Sequence, residues 1–125
     1  SYKNDQKKEY LINGIENRIE QMIANLLDNA VSFSEDSKEV LVKIFKSDKD
    51  NVIVNILDEG KGFIEKDTKK IFNRFYSNRP DKFGQHSGLG LNIVKNLVDL
   101  HNATIKASNR TDQKGAKIEI EFPKV

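Results

Sequence analysis

Three short segments of this 125-residue chain carry residue types that can bind a cation, a flat polar ligand and an anion. The first, at 25–30, contains two side-chain amides four positions apart. The second, at 58–62, has a carboxylate followed by two glycines, and the third, at 87–91, has a serine followed by two glycines. The three segments follow one another at regular intervals, and together they predict a single pocket.

The amides of Asn25 and Asn29 lie on one stripe of a predicted helix, which also carries Ser32 and Phe33. Amide oxygens are hard ligands suited to Mg²⁺, which takes few protein groups and completes its octahedron with phosphates and water. Asn29 is therefore the predicted metal ligand. The alternative is that both amides are solvated or bond locally.

Asp58 ends the apolar run at 52–57 and is followed by Gly60, Gly62 and Phe63. A carboxylate at the end of a strand can accept a hydrogen bond from an exocyclic amine, such as that of adenine. The glycines lack the Cβ atoms that would keep the backbone away from a flat ligand. The alternative is an ordinary Asp-Gly turn after a strand.

Ser87 is predicted to cap a helix that opens with Gly88, Leu89, Gly90 and Leu91. Free backbone N–H groups and the positive end of the helix dipole would then bind phosphate. The alternative is a capped helix whose glycines serve tight packing. The P-loop pattern and the dinucleotide fingerprint are both absent from the sequence.

Apolar spacing predicts the elements that position these segments. One helix is expected from Glu16 to about Ser34, and another begins at Ser87. The remaining expected elements are strands at 10–12, 39–45, 52–57, 103–108 and 116–122, a short helix near 67–72 and a polar surface loop at 76–86. This order predicts an α+β two-layer sandwich, with a mixed, mostly antiparallel sheet covered on one face by about three helices.

Composition narrows the function classes. Hydrophobic residues at 37% and charged residues at 32% are typical of one globular domain. The net charge of +2 is too small to indicate a nucleic-acid partner, and no apolar run is long enough to span a membrane. The absence of Cys and the presence of only two His exclude thiolate and His-rich metal sites.

The ordered set of segments resembles the ATP-binding catalytic domain of bacterial sensor histidine kinases, within the wider group of gyrase, Hsp90 and MutL ATPases. The resemblance covers roughly 14–123 and implies the Bergerat ATP-binding fold, with ATP and Mg²⁺ as cofactors. It implies that Asn29 binds Mg²⁺, that Asn25 lies beside the phosphates and that Asp58 binds the adenine amine. It also implies that Phe72 and Phe75 anchor an ATP lid at about 73–87.

Several positions depart from the usual family pattern. Ser32 and Phe33 stand where many relatives have Lys-Tyr, and Phe33 can still stack on adenine. Ser77 stands where an Arg is frequent, so Arg79, Lys82 or Arg74 is expected to supply the missing charge. The run at 83–91, with His86 in place of a glycine, resembles the variant found in alphaproteobacterial envelope- and acid-responsive sensor kinases.

The resemblance implies transfer of the γ-phosphoryl group of ATP to a histidine on a separate dimerisation domain of the same parent protein, which then serves a response regulator. Asn25, Asn29 and Arg79 are the residues expected to act in catalysis. Gyrase-like relatives that hydrolyse ATP carry a Glu near position 25, and an Asn cannot act as a general base. The acceptor is not expected in this chain, because His86 lies in the lid and His101 is predicted to cap a helix as an imidazolium.

The chain is therefore expected to be a single ATP-binding domain over 1–125, with a lead-in at 1–10, from a longer inner-membrane receptor. It is expected to be cytoplasmic and monomeric, with no nucleic-acid partner and no insertion into the membrane. Two other functions remain open at this point. One is a free-standing serine kinase of the anti-sigma-factor type, and the other is a nucleotide-binding module without catalysis.

Overall fold

The computed structural model describes residues 10–33, 39–63, 72 and 89–125, without the side chains at 32, 33, 89 and 90. Two helices and four strands lie in this part of the chain. The helices are α1 (Glu16–Phe33) and α2 (Leu89–Leu100). The strands are β1 (Leu41–Lys46), β2 (Val52–Leu57), β3 (Thr104–Asn109) and β4 (Ala116–Phe122).

The four strands form one sheet in the order β1-β2-β4-β3, and every neighbouring pair is antiparallel. Both helices contact the sheet and pack against each other. This is the two-layer α+β arrangement that the sequence predicts. The four strands match their predicted ranges to within about two residues, as expected for pattern-based boundaries.

Helix α1 forms because its apolar residues recur every three or four positions. Met22, Leu26 and Ala30 are buried in the core, while Ile19 and Ile23 are partly buried beside them. The carbonyl of Ile15 accepts the first helical bonds, from the amides of Arg18 and Ile19, both at 2.9 Å. The helix therefore begins where its apolar stripe begins.

The position of β2 in the sheet explains why its sequence is apolar except for Asn55. It lies between β1 and β4, and all six of its residues are buried. Strand β4 instead alternates, with its buried residues Ala116, Ile118, Ile120 and Phe122 facing the helices. Because β2 is central, the residue that directly follows it, Asp58, also has its side chain in the interior of the domain.

The opposite end of β2 is tied to the C-terminal segment through Asn51. The Nδ2 atom of Asn51 donates to Glu121 Oε2 at 2.7 Å, and its Oδ1 atom accepts from the amide of Lys124 at 3.0 Å. This side chain therefore bridges two segments at the end of the sheet farthest from Asp58.

The strand predicted at 10–12 is wrong, because these residues form no strand in the structure. Tyr10 and Ile12 instead pack against the core as partly buried side chains. Their apolar character serves packing near α1 rather than pairing with the sheet. The predicted helix near 67–72 lies outside the described residues except for Phe72, and the predicted lead-in and lid lie outside them as well. No helix in the described ranges is long and apolar enough to span a membrane.

Candidate functional site

Asp58 is the best-defined residue of the candidate site. It follows the last residue of β2 and is 4% exposed. Its Oδ1 atom accepts hydrogen bonds from the amide of Gly60 at 2.9 Å and from the amide of Ala116 at 3.0 Å. The backbone N–H of Asp58 donates to the carbonyl of Ala116, also at 3.0 Å. The orientation of this carboxylate is therefore set by two backbone donors on two different segments.

Residues 58–63 form what we term the Asp58 loop. Gly60, Gly62 and Phe63 in this loop are buried. Gly62 has a φ of 80°, a conformation that residues with a Cβ rarely adopt. A Cβ built at Gly62 would also lie 2.5 Å from Asn109 Oδ1. The sequence assigns Gly62 to the approach of a ligand, whereas these contacts show that the backbone turn and the packing of Asn109 already require glycine.

Asn25 and Asn29 occupy α1 beside its buried stripe, and both are half-buried. Within the described part of the chain, neither side-chain amide makes a hydrogen bond. Local bonding, one half of the alternative reading, is thus not seen among the described residues, whereas solvation of the two half-buried amides stays open beside the predicted metal site. Their oxygens are chemically able to bind a hard cation, and their four-residue spacing places them on one face.

Helix α2 carries the described part of the third segment. Gly90 lies in its first turn, and Leu91 is partly buried against the core. Phe72 is 7% exposed and belongs to the core cluster, and its carbonyl accepts from Asn92 Nδ2 at 3.2 Å. Phe72 is therefore a packing anchor that is tied to α2 by a contact not expected from the sequence.

The remaining predicted site residues lie outside the described part of the chain. Of Ser32, Phe33 and Leu89, the backbone is described and the side chain is not. The other predicted residues lie entirely outside the described part: Arg74, Phe75, Arg79, Lys82, Ser87 and Gly88. Their assignments remain predictions.

Sequence reasoning missed two residues that hold the Asp58 loop. Asn109 Oδ1 accepts from the amide of Phe63 at 2.6 Å, and Asn109 Nδ2 donates to the carbonyl of Phe63 at 3.1 Å. Arg110 Nη1 donates to the carbonyl of Asp58 at 3.3 Å. These contacts join residues 46 and 52 positions apart, so no local pattern in the sequence indicates them.

The guanidinium of Arg110 is itself oriented by Asp112. Its Nε and Nη2 atoms donate to the two carboxylate oxygens of Asp112 at 3.0 and 2.8 Å. The hydrogen bond from Arg110 is the main reason that the pKa of Asp112 is lowered to about 2, and the same bond raises the pKa of Arg110. The Arg110 side chain is 6% exposed, whereas that of Asp112 is 62% exposed.

His101 caps the end of α2, but as a neutral imidazole and not as the predicted imidazolium. Its Nδ1 atom lies 2.8 Å from the carbonyl of Leu97 and donates to it. Its Nε2 atom accepts from the amide of Ile15 at 3.0 Å, so this nitrogen carries no proton. The ring therefore connects the end of α2 to the start of α1 and is a structural residue.

Comparison with known proteins assigns the chain to a family. The family model described as "Histidine kinase-, DNA gyrase B-, and HSP90-like ATPase" matches residues 14–125, which include both helices and all four strands. The chain belongs to this family. Asp58, Asn25 and Asn29 lie within the matched range, as do the elements that position them.

Similarity to individual proteins supports this family assignment. The chain is 38% identical to Sensor protein ChvG of Agrobacterium fabrum over 123 residues, covering 94% of this chain and 21% of that protein. The chain thus spans about a fifth of that curated relative, an alphaproteobacterial sensor protein of the kind the 83–91 run resembles.

Two solved structures show the same fold. The mycobacterial sensor histidine kinase MprB superposes with a TM-score of 0.81 at 27% identity, covering 90% of this chain and 76% of that one. Full-length ShkA in complex with AMPPNP superposes with a TM-score of 0.72 at 26% identity, covering 92% of this chain and 24% of that one.

Proposed function

We propose that this chain binds Mg-ATP and donates the γ-phosphoryl group to a histidine on a separate dimerisation domain of the same parent protein. The observation that carries the proposal is the buried Asp58 carboxylate, held by two backbone amides at the end of β2 in a chain of this ATPase family. The AMPPNP complex of ShkA supports an adenine nucleotide as the ligand.

The Asp58 loop forms the base side of the proposed site. The Oδ1 atom of Asp58 orients the carboxylate by accepting from the amides of Gly60 and Ala116. The Oδ2 atom is proposed to accept from the exocyclic amine of adenine. Gly60 and Phe63 would line the base, and the ring of Phe33 would stack on its face. A carboxylate held in place distinguishes an amine donor from a carbonyl because only the amine can donate.

Helix α1 and the start of α2 form the proposed phosphate side. Asn29 would bind Mg²⁺ through its amide oxygen, with Asn25 and Ser32 beside the phosphates. Backbone N–H groups from Gly88 to Gly90 would donate hydrogen bonds to the phosphate oxygens at the start of α2, which Ser87 is proposed to cap. Arg79, with Lys82 and Arg74 as alternatives, would add a positive charge from the lid anchored by Phe72 and Phe75.

The proposed reaction is attack of an imidazole nitrogen on the γ-phosphorus. The bond between the γ-phosphorus and the bridging oxygen breaks, ADP takes the electron pair, and the phosphoryl group moves to nitrogen. Mg²⁺, when bound, neutralises the charge that develops on the phosphate oxygens. Asn25 offers no general base for water, which favours transfer to a protein nucleophile over hydrolysis.

This proposal places the chain as the ATP-binding domain, over 1–125, of a longer sensor kinase. Such a parent would be an inner-membrane receptor with this domain on the cytoplasmic side, and it would pass the phosphoryl group on to a response regulator. The domain itself would be monomeric and would bind no nucleic acid.

Labelled ATP tests the proposed reaction. The chain is mixed with the dimerisation domain of its own parent polypeptide, and the label on protein is followed after acid or alkali treatment. We expect a label on the dimerisation domain that is lost in acid and retained in alkali, as for phosphohistidine. An acid-stable label would indicate a serine kinase, and nucleotide binding without any transfer would indicate a noncatalytic module.

A further inference from the structure

The hairpin formed by β3, β4 and residues 110–115 contacts the C-terminal end of the Asp58 loop. Asn109, the last residue of β3, uses both atoms of its amide on one residue of the loop. Its Oδ1 accepts from the Phe63 amide at 2.6 Å, and its Nδ2 donates to the Phe63 carbonyl at 3.1 Å. The side chain thus replaces the pair of bonds that a neighbouring strand would make.

The same hairpin also contacts the N-terminal end of the loop. Arg110 Nη1 donates to the carbonyl of Asp58 at 3.3 Å, and the amide of Ala116 donates to Asp58 Oδ1 at 3.0 Å. The Arg110 guanidinium cannot easily move, because two bonds hold it to Asp112. Both ends of the loop are therefore held by the same hairpin.

Two glycines show how closely the hairpin and the loop approach each other. Gly115 has a φ of 146°, and a Cβ built on it would lie 2.0 Å from the carbonyl oxygen of Asp58. A Cβ built on Gly62 would lie 2.5 Å from Asn109 Oδ1. Since neither contact leaves room for a methyl group, the position of the loop depends directly on the position of the hairpin.

We propose that Asn109 is a positioning residue that sets the base specificity of the site, with Arg110 in the same role at the other end of the loop. This inference rests on the proposed function. A single hydrogen bond discriminates between two bases only when its acceptor is held in place, since a mobile acceptor can turn away from the wrong base. Asn109 supplies that restraint without touching the ligand.

Inosine triphosphate is the matched probe, because it carries a carbonyl oxygen where ATP carries the exocyclic amine. We expect the unaltered chain to prefer ATP by at least about tenfold, since a mispaired site rejects its ligand strongly. In Asn109→Ala, ATP affinity should fall about five- to tenfold while inosine triphosphate affinity stays constant, which is the loss of roughly one net hydrogen bond. The preference should then approach one.

Asn51→Ala is the matched control. It also removes an asparagine that makes two side-chain hydrogen bonds, but at the opposite end of β2. Its unfolding temperature should fall by an amount similar to that of Asn109→Ala, and its preference for ATP should not change. Asn109→Asp is a second variant, which retains the acceptor for the Phe63 amide but places an oxygen against the Phe63 carbonyl. It should also lower the preference.

The outcomes separate the two proposals. If the unaltered chain prefers ATP and both Asn109 variants retain that preference, Asn109 does not position the loop and the inference is overturned while the proposed function stands. If Asn51→Ala lowers the preference as much, the effect is general destabilisation, and this also overturns the inference. If the unaltered chain binds neither nucleotide, or binds both equally, the adenine assignment of Asp58 fails and the inference fails with it.

Discussion

The amide of Ala116 donates a hydrogen bond to Asp58 Oδ1 at 3.0 Å, although 58 positions separate the two residues in the sequence. The reciprocal backbone bond, from the Asp58 amide to the Ala116 carbonyl, has the same length. The Asp58 carboxylate thus has a structural role toward the backbone in addition to the role proposed toward a ligand. Substitutions at this position must separate the two roles.

Asp58→Asn should keep the fold, because its amide oxygen can still accept from the amides of Gly60 and Ala116. Asp58→Ala leaves both buried amides without an acceptor and should lower the free energy of unfolding by about 2–4 kcal/mol. Urea unfolding of the two variants measures this difference. Equal stability of the two variants would show that Oδ1 does not support the loop.

His101→Ala should destabilise the domain by about 2–3 kcal/mol, because it removes the acceptor for the Ile15 amide and the donor to the Leu97 carbonyl. His101→Gln can restore an acceptor near Nε2 but not the second bond, so it should recover part of the loss. Thermal unfolding measures both variants. If His101→Ala were as stable as the unaltered chain, the connection between the two helices would be energetically unimportant.

The carboxyl of Asp112 should titrate with a pKa of about 2, because Arg110 binds its charged form. The contribution of this pair to stability should therefore be present above the ordinary carboxyl pKa, near 3.9, and should be lost as the pH falls through about 2. Carbon NMR of the side-chain carboxyl follows the titration directly. In Arg110→Gln the pKa should return toward its ordinary value, and an unchanged pKa would rule out Arg110 as the cause.

Asn29→Ala should weaken the binding of Mg-ATP by about tenfold or more and should change metal-free ADP binding far less, since the proposed role of Asn29 is to bind the metal. Asn17→Ala, at an exposed position of the same helix, is the control and should change neither affinity. Fluorescent-nucleotide competition measures both affinities. Equal losses for the two nucleotides would contradict the metal assignment.

Local patterns predicted most of the fold. The three- and four-residue spacing of Met22, Leu26 and Ala30 identified α1, and the apolar run before Asp58 identified β2. Local patterns failed at 10–12, where an apolar stretch serves core packing and does not join the sheet. Apolar character indicates burial but does not by itself specify a partner strand.

The candidate site could be predicted only in part. Asp58 and its glycines were visible in the sequence because they follow a strand directly. The contact of Asn109 with Phe63 was not visible, because the antiparallel order of the sheet brings together residues that are far apart in the chain. For the same reason the close approach of the Asn109 side chain to Gly62 could not be predicted from the sequence, and the approach of a ligand to Gly62 stays a prediction.

Calorimetric titration with ATP, with and without Mg²⁺, tests the central claim most directly when the unaltered chain and Asp58→Asn are compared. We predict binding that is strengthened by Mg²⁺ in the unaltered chain and is lost in a folded Asp58→Asn variant. Binding of equal affinity in both proteins would contradict the assignment of Asp58 to the adenine amine. No binding to the unaltered chain would contradict the proposed nucleotide site as a whole.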